Sequence, residues 1–349
     1  MGPQGWIAKL KILITGGAGF IGSNFIHFML KKHPLYKIVN LDLLTYAGNL
    51  ENLKDLDKHK NYKFIKADIC DGKTLKKIFA KHKFDAVVNF AAESHVDRSI
   101  MNPAPFINTN FLGVGILLDL AMEFNIKRFL QISTDEVYGS IAHGSFKEDD
   151  RLQPSSAYAA SKAAAELLII SYYKTYGLPI LISRSSNNYG PYQFPEKLIP
   201  LIITNAIENK KIPLYGDGMN VRDWLYVVDN CRAIDLVLHQ GVIGQIYNIG
   251  GNNERHNIDV VKTILKKLNR PMRLIQYVKD RPGHDRRYAL DTSKIRYNLG
   301  FEPEVDFEKG ISLTIEWYGK NPEWIAHTKS GEYQKFYKKY YTKLGLKKK

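Results

Sequence analysis

Cysteine is nearly absent: Cys70 and Cys231 are the two among 349 residues, far apart and with no metal-type pairing around either. That argues against a disulfide-stapled scaffold or a cysteine-ligated zinc module and leaves reduced cytosolic thiols as the reading. No stretch approaches the roughly 20 apolar residues that a bilayer-spanning helix needs. Met1 to Leu10 carry no basic segment followed by an apolar core, so no secretory signal is read and a cytoplasmic location is expected. Internal repeats and low-complexity linkers are missing as well. Acids are the scarcer charge, 35 Asp and Glu against 50 Lys and Arg, for a formal net charge of +15. Nucleic-acid binding would gather that excess into a patch interleaved with aromatics, or into a known module. Instead the lysines are spread along amphipathic segments such as Leu75-Lys76-Lys77-Ile78-Phe79 and Val261-Lys262-Thr263-Ile264-Leu265. They belong on solvated helix faces, with some help in steering an anionic substrate. Neither nucleic acid nor a membrane is expected as a partner.

What is present is a rhythm. Short β-branched runs at 11–15, 37–41, 63–66, 86–90, 129–132 and 179–182 alternate with helix-period segments at 20–32, 74–81, 105–124 and 156–176. Alternation of this kind predicts an α/β fold, a doubly wound, Rossmann-type parallel sheet with ligands at the carboxyl ends of its strands. After Arg184 the rhythm changes, and Tyr189-Gly190-Pro191, Tyr215-Gly216-Asp217-Gly218 and Arg281-Pro282-Gly283 punctuate shorter elements. The expected division is a NAD-binding domain over 1–184 and a smaller α/β C-terminal substrate lobe over 185–349. The two are interleaved, with a strand near 246–250 returning to the main sheet.

Ile14-Thr15-Gly16-Gly17-Ala18-Gly19-Phe20-Ile21-Gly22 follows the first strand and opens the first helix. Glycines there permit a tight turn and close backbone approach, and the helix N-terminus offers unpaired N–H groups to a pyrophosphate. Asp42 ends the second strand, where a carboxylate accepts hydrogen bonds from an adenosine ribose and repels a 2′-phosphate. NAD is thus expected over NADP. Asp68-Ile69 and Ala91-Ala92-Glu93-Ser94 fall at the same edge of the sheet, next to adenine or the nicotinamide half. The glycines are three apart rather than in the Gly-x-Gly-x-x-Gly spacing. With Tyr158-Ala159-Ala160-Ser161-Lys162 downstream, the chain resembles an extended short-chain dehydrogenase/reductase.

Tyr158 and Lys162 stand four apart, on one face of a helix. An ammonium beside the phenol is expected to lower its pKa from about 10 toward neutrality and make it a base for a sugar alcohol. Ser133-Thr134-Asp135-Glu136-Val137-Tyr138-Gly139 adds what redox chemistry alone does not need, two adjacent carboxyls after a buried strand. Elimination of water requires a base for a C–H proton and an acid for the departing hydroxyl, and adjacent carboxyls can divide those roles if their pKa values separate. His95 has no second histidine at metal-ligand spacing and is read as an orienting loop residue, with no metal expected. Trp317 and Trp324 are read as packing residues.

On Ala91 to Ser99, Ser133 to Gly139, Ser186 to Tyr192, Phe194 to Pro200, Val221 to Tyr226 and Asp280 to Asp285, the chain resembles the nucleotide-sugar 4,6-dehydratases over nearly its whole length. The resemblance implies that Tyr158 takes the proton from the carbon-4 hydroxyl while hydride passes to NAD⁺, with Thr134 and Lys162 assisting. Glu136 then removes the carbon-5 hydrogen, Asp135 protonates the departing carbon-6 hydroxyl, and hydride returns to carbon 6. It implies cofactor contacts at Gly16, Gly19, Phe20, Ile21 and Gly22, at Asp42, Leu44, Thr45 and Asn49, and at Asp68 and Ile69. Phe90, Ala91, Ala92, Ser94, Thr109 and Asn188 complete that side. For the substrate it implies Ser94, Asn187, Lys197 and Leu198 near the sugar nucleotide and Pro213, Leu214 and Tyr215 along the base and ribose. Arg222 forks onto the pyrophosphate, Asn257, Asp280, Arg281 and His284 close that side, and Tyr341 is a further contact placed by Gly331-Glu332-Tyr333-Gln334. The expected substrate is dTDP-glucose, on the 194–200 and 280–285 matches, with UDP- or CDP-glucose as alternatives. A nucleotide-sugar 4-epimerase and a non-catalytic NAD-sensing protein are further rivals. A homodimer is implied, helices 105–124 and 156–176 meeting across a two-fold axis, although Phe111, Leu112, Ile116, Leu117 and Leu120 could equally be intramolecular core.

Overall fold

The computed structural model describes residues 9–330 and 332–345. The segment read as lacking a secretory signal, apart from its last two residues, and Gly331 of the motif used to place Tyr341 lie outside them. Seven strands form one sheet, all pairs parallel: β1 (Lys11–Thr15), β2 (Lys37–Asp42), β3 (Tyr62–Lys66), β4 (Ala86–Asn89), β5 (Arg128–Thr134), β6 (Ile180–Ser185) and, after three strands outside it, β10 (Ile246–Ile249). Their order is β10-β6-β5-β4-β1-β2-β3. The chain therefore reverses direction across the sheet between β1 and β4, and the crevice above those two strand ends is where such sheets bind ligands.

Side chains alternate across each strand, and here both sides are dry. Ile12 and Ile14 of β1 enter one core with Phe25 and Met29 of helix Phe20–Lys32 and Ile234 and Val237 of helix Val227–Gln240. Leu13, between them, enters the opposite core with Phe79, Val114, Leu117 and Ala165. A strand covered on both faces must be apolar at nearly every position, which is why these runs read so clearly in the sequence. Near the active edge the strands are pinned by a buried polar ladder: Thr15 donates to Asn89, and Asn89 to Gln131 at 2.7 Å.

The remaining strands are β7 (Asn187–Tyr189), β8 (Ile212–Tyr215), β9 (Val221–Tyr226), β11 (Glu254–His256) and β12 (Ile275–Val278). They form a three-stranded sheet, β11-β9-β7, and a pair, β12-β8, around a third core that includes Ile202, Trp224, Ile264, Phe307 and Trp324. Trp324 also donates to Asn52 at 2.8 Å, and Trp317 packs edge-on against Tyr192. Cys70 and Cys231 are unpaired. The sequence reading saw no stretch of membrane-spanning length, yet helix Ala104–Glu123 has the length and apolarity to cross a bilayer. Val114, Leu117, Leu118 and Ala121 of that helix are buried against the sheet, which accounts for its apolar composition.

Candidate active site

A cavity of about 300 Å³ opens at the β1–β4 crevice. Its floor is the glycine turn. Gly16 has φ +70°, and a Cβ on it would stand 2.5 Å from the Ala91 backbone nitrogen; one on Gly22 would stand 2.5 Å from the Gly16 carbonyl oxygen. A side chain at either place would fill the cradle or break it. Helix Phe20–Lys32 starts from Gly19 with no side-chain cap and no acid in its first turn, so its leading N–H groups remain free for an anion. Asp42 accepts from Ala18 N at 2.9 Å and Leu44 N at 2.8 Å, and burial raises its pKa. These features fit the diphosphate and ribose of NAD.

The wall also carries Phe20, Ile21, Thr45, Asp68, Ile69, Phe90, Ala91, Ala92, Ser94, Thr109 and Asn188. Two anticipated cofactor residues stand off it. Leu44 serves through its backbone bond to Asp42, and Asn49 caps the turn Leu50–Leu56 by accepting from Glu51 N at 2.9 Å.

At the other end β5 stops at Thr134 and the chain makes one tight 3₁₀ turn, Asp135–Tyr138. Helix Ala157–Tyr176, capped by Ser156, displays Tyr158 and Lys162 one turn apart. Thr134, Asp135, Glu136, Tyr158 and Lys162 all line the same cavity. Asp135 is buried, accepts from the Thr134 hydroxyl at 3.1 Å, and has a second oxygen with no partner. Burial, then the neighbouring Glu136, push its pKa up to about 8, so it holds a proton at neutral pH. Burial raises Glu136 too, but Arg281, Lys197 and Arg222 pull it back toward the carboxylate. The two adjacent carboxyls therefore sit in unequal surroundings, the condition under which such a pair can divide acid and base roles.

The expectation for Tyr158 needs correction. Burial raises its pKa, and Glu136 and Asp135 add to the rise, while a hydrogen bond from Thr134 opposes it. The Lys162 ammonium instead donates to the Ile132 carbonyl at 2.5 Å, and its own pKa falls to about 8 through burial, with Glu166 opposing. Spacing on a helix placed the two side chains on one face; it could not show that two carboxyls and a dry wall outweigh the ammonium.

The substrate residues fall into two groups. Ser94, Thr134, Asn187 and Lys197 are on the wall, Lys197 donating to the Ser94 carbonyl at 2.8 Å. Beside them, Tyr215 and Arg281 both donate to Asp97, at 2.8 and 3.1 Å. Arg222 lies 4.1 Å from the Tyr288 ring centre and donates to the Asp285 carbonyl. Asp280 pairs with His284 at 2.6 Å, and Tyr341 stacks on Tyr215. Asn257 is buried with an amide oxygen lacking a protein partner. Leu198, Pro213 and Leu214 sit back from the cavity: Leu198 packs on the third core, and Pro213 and Leu214 are buried in β8. His95 caps helix Val96–Met101 and faces Glu196 at 3.8 Å.

Sequence reasoning gave no site role to Ser186, Gln193, Phe194 and Glu196, all on the wall. Glu196 meets Arg98 at 3.4 Å, and Arg98 lies 3.9 Å from the Tyr46 ring centre. Asn187, Asn188 and Gln193 each carry a buried amide oxygen with no protein donor. The polar run Ser185-Ser186-Asn187-Asn188 at the end of β6 was the available signal for Ser186.

Fold and site together define a dinucleotide-binding enzyme of the short-chain dehydrogenase/reductase architecture, with two adjacent carboxyls, Asp135 and Glu136, on its cavity wall. A family model described as GDP-mannose 4,6 dehydratase matches residues 13–314, and the chain belongs to that family. The dTDP-glucose 4,6-dehydratase of Escherichia coli is 49% identical over 354 residues, spanning 93% of this chain and 98% of that protein. Among solved structures, a dTDP-glucose 4,6-dehydratase from Bacillus anthracis in complex with NAD is 50% identical with a TM-score of 0.86, covering 91% of this chain and 99% of that one. One from Streptomyces venezuelae with NAD bound is 46% identical with a TM-score of 0.89, covering 91% and 100%.

Proposed function

We propose that this chain is an NAD-dependent hydro-lyase that converts dTDP-glucose to dTDP-4-keto-6-deoxyglucose and water. The observation that carries the reading is the placement of Asp135 and Glu136 in one cavity with Tyr158, both raised by burial, with Arg281, Lys197 and Arg222 opposing the rise at Glu136. Bound NAD supplies a hydride acceptor for carbon 4 and the same hydride for carbon 6. Tyr158 would take the carbon-4 hydroxyl proton as a phenolate, a form that the positive charge of bound NAD⁺ favours against the burial that raises its pKa. The resulting ketone acidifies the carbon-5 hydrogen, which Glu136 removes, and carbon 5 regains a proton, exchangeable with solvent, as hydride reaches carbon 6. Asp135, protonated below about pH 8, delivers a proton to the carbon-6 hydroxyl as it leaves. Lys162 orients the tyrosine end of the site. Lys197, Arg222 and Arg281 hold the diphosphate of the substrate, and the same cations oppose the burial-driven rise at Glu136.

The enzyme serves deoxysugar synthesis of the rhamnose type and works as a cytoplasmic homodimer. Supporting the dimer are large apolar side chains left in water on two adjacent helices: Ile107 at 51% and Leu112 at 52% exposure on Ala104–Glu123, and Leu167 at 61% on Ala157–Tyr176. Leu117 and Leu120 are core residues instead.

Incubation with dTDP-, UDP- and CDP-glucose tests the reading. A 4-keto-6-deoxy product with the highest kcat/KM for dTDP-glucose is expected. A galactose epimer, or a preference for another base, would contradict it.

A further inference from the structure

Behind the Tyr158–Lys162 face lies a buried ion pair that the reaction as described does not use. Glu166, one helical turn beyond Lys162, is wholly buried, and Arg184 on β6 is 2% exposed. The carboxylate accepts from Arg184 Nε at 2.9 Å and Nη2 at 2.6 Å, and from the Ser133 hydroxyl. Arg184 also donates to the Tyr138 hydroxyl at 2.5 Å and to the Glu148 carbonyl at 3.0 Å, and Tyr138 donates onward to Asn248 at 2.8 Å. Stripping two charges of water is costly, and a well-packed apolar pair of the same volume is often as stable or more so. Packing alone gives little reason for charge here.

The contacts give a better one, because they reach both halves of the catalytic apparatus. Ser133 directly precedes Thr134, Asp135 and Glu136, and Tyr138 closes the 3₁₀ turn that carries the acid pair. Lys162, on the same helix as Glu166, is buried with its ammonium on the Ile132 carbonyl. We propose that Glu166 and Arg184 are positioning residues: the pair locks the Ser133–Glu136 turn against the Tyr158–Lys162 helix, and the Glu166 carboxyl group backs Lys162 from one turn away on the same helix. The proposal rests on the dehydratase reading for its second readout only.

The groups that bear on Lys162 come from every element packed around it. Tyr158 and Glu166 share its helix, Ser133 and the Ile132 carbonyl belong to β5, and Arg184 reaches from β6 behind Glu166. Asp135 and Glu136 follow β5 on the same cavity wall. Of these, Glu166 is the carboxylate that opposes the loss of the Lys162 proton on burial. Without it the amine becomes neutral at a lower pH.

The test uses the full chain with Glu166→Gln, which keeps shape and removes charge, and Glu166→Gln/Arg184→Met, which also removes the stranded guanidinium. The first readout is NAD affinity by fluorescence titration between pH 6.5 and 9, which needs no turnover. Both variants are expected to bind NAD about threefold more weakly than wild type near pH 7.5, as one unit in the protonation of Lys162 implies, with the gap widening toward about tenfold by pH 9 and closing toward pH 6.5. The second readout is kinetic: kcat for dTDP-glucose falls about tenfold or more while KM stays within about twofold. The double variant regains the wild-type melting temperature without regaining kcat, and Glu166→Asp recovers most of both readouts. If the double variant regains NAD affinity and kcat together with its melting temperature, the pair is packing and the proposal is overturned. Should wild type leave dTDP-glucose unchanged, the dehydratase reading fails, and the NAD titration by itself decides the role of Glu166.

Discussion

At the scale of residues the account turns on two neighbouring carboxyls with different tasks. Glu136→Gln removes the base for carbon 5 but leaves Tyr158 and the cofactor cradle intact. We predict that stopped-flow absorbance still shows a burst of reduced cofactor, with loss of water slowed by about 10² or more. Asp135 makes a stability prediction as well. Its folded pKa of about 8 lies above the value of about 3.9 for an unfolded chain, so folding favours the protonated form. Stability from this group is full below about pH 3.9 and is lost as pH rises through 8. Asp135→Asn escapes that loss. Its melting temperature should exceed that of wild type by a margin that widens from pH 6 to pH 9, while product formation slows by about 10²-fold or more. A margin independent of pH would mean that Asp135 is ionised in the fold. The division of labour between these residues came from the resemblance to the 4,6-dehydratases, while the carboxyl pair after a buried strand was itself legible. The direction of the Tyr158 shift was not, since spacing carries no information about dryness.

At the scale of elements the glycine turn is the most exacting piece. Gly16→Ala meets both a left-handed φ and the Ala91 backbone. The conformation alone costs roughly 1–2 kcal/mol, and NAD affinity measured by titration should fall at least about tenfold. Affinity equal to wild type would show that the cofactor does not lie on this turn. Helix Phe20–Lys32 could be read to the residue because it runs from a glycine cap to a last turn with two lysines. Helix Leu198–Ile207 was not singled out in the sequence; it tolerates Pro200 in its first turn, where the backbone N–H has no helical partner to lose. Within Ala104–Glu123 the residues Asn108–Leu112 form a π turn that no periodicity shows. It brings Asn110 inward, where the amide bonds both the N–H and the carbonyl of Glu93, at 2.8 and 2.9 Å, and the Ser161 hydroxyl at 2.9 Å. The loop after β4 and the tyrosine helix are thereby joined by one side chain, and Thr109 next to it reaches the cavity wall.

At the scale of the whole molecule, the doubly wound sheet was legible because strands buried on both faces write continuous apolar runs. The strands of the second region were not: β7 and β11 have three residues each, and β9 reads Val-Arg-Asp-Trp-Leu-Tyr, with buried charges serving the site. The proposed dimer makes its own prediction. Leu167→Glu puts a charge into the apolar patch shared with Ile107 and Leu112, and sedimentation should shift from dimer toward monomer with the fold retained. Wild type sedimenting as a monomer would remove the dimer. The central claim is that a single cavity makes a ketone, expels a hydroxyl and returns the same hydride. Turnover of dTDP-glucose deuterated at carbon 4, followed by mass spectrometry and NMR of the product, tests it most directly. The deuterium should appear at carbon 6 of the same molecule, with a solvent hydrogen at carbon 5; label lost to water, or exchanged between substrate molecules, would contradict the account.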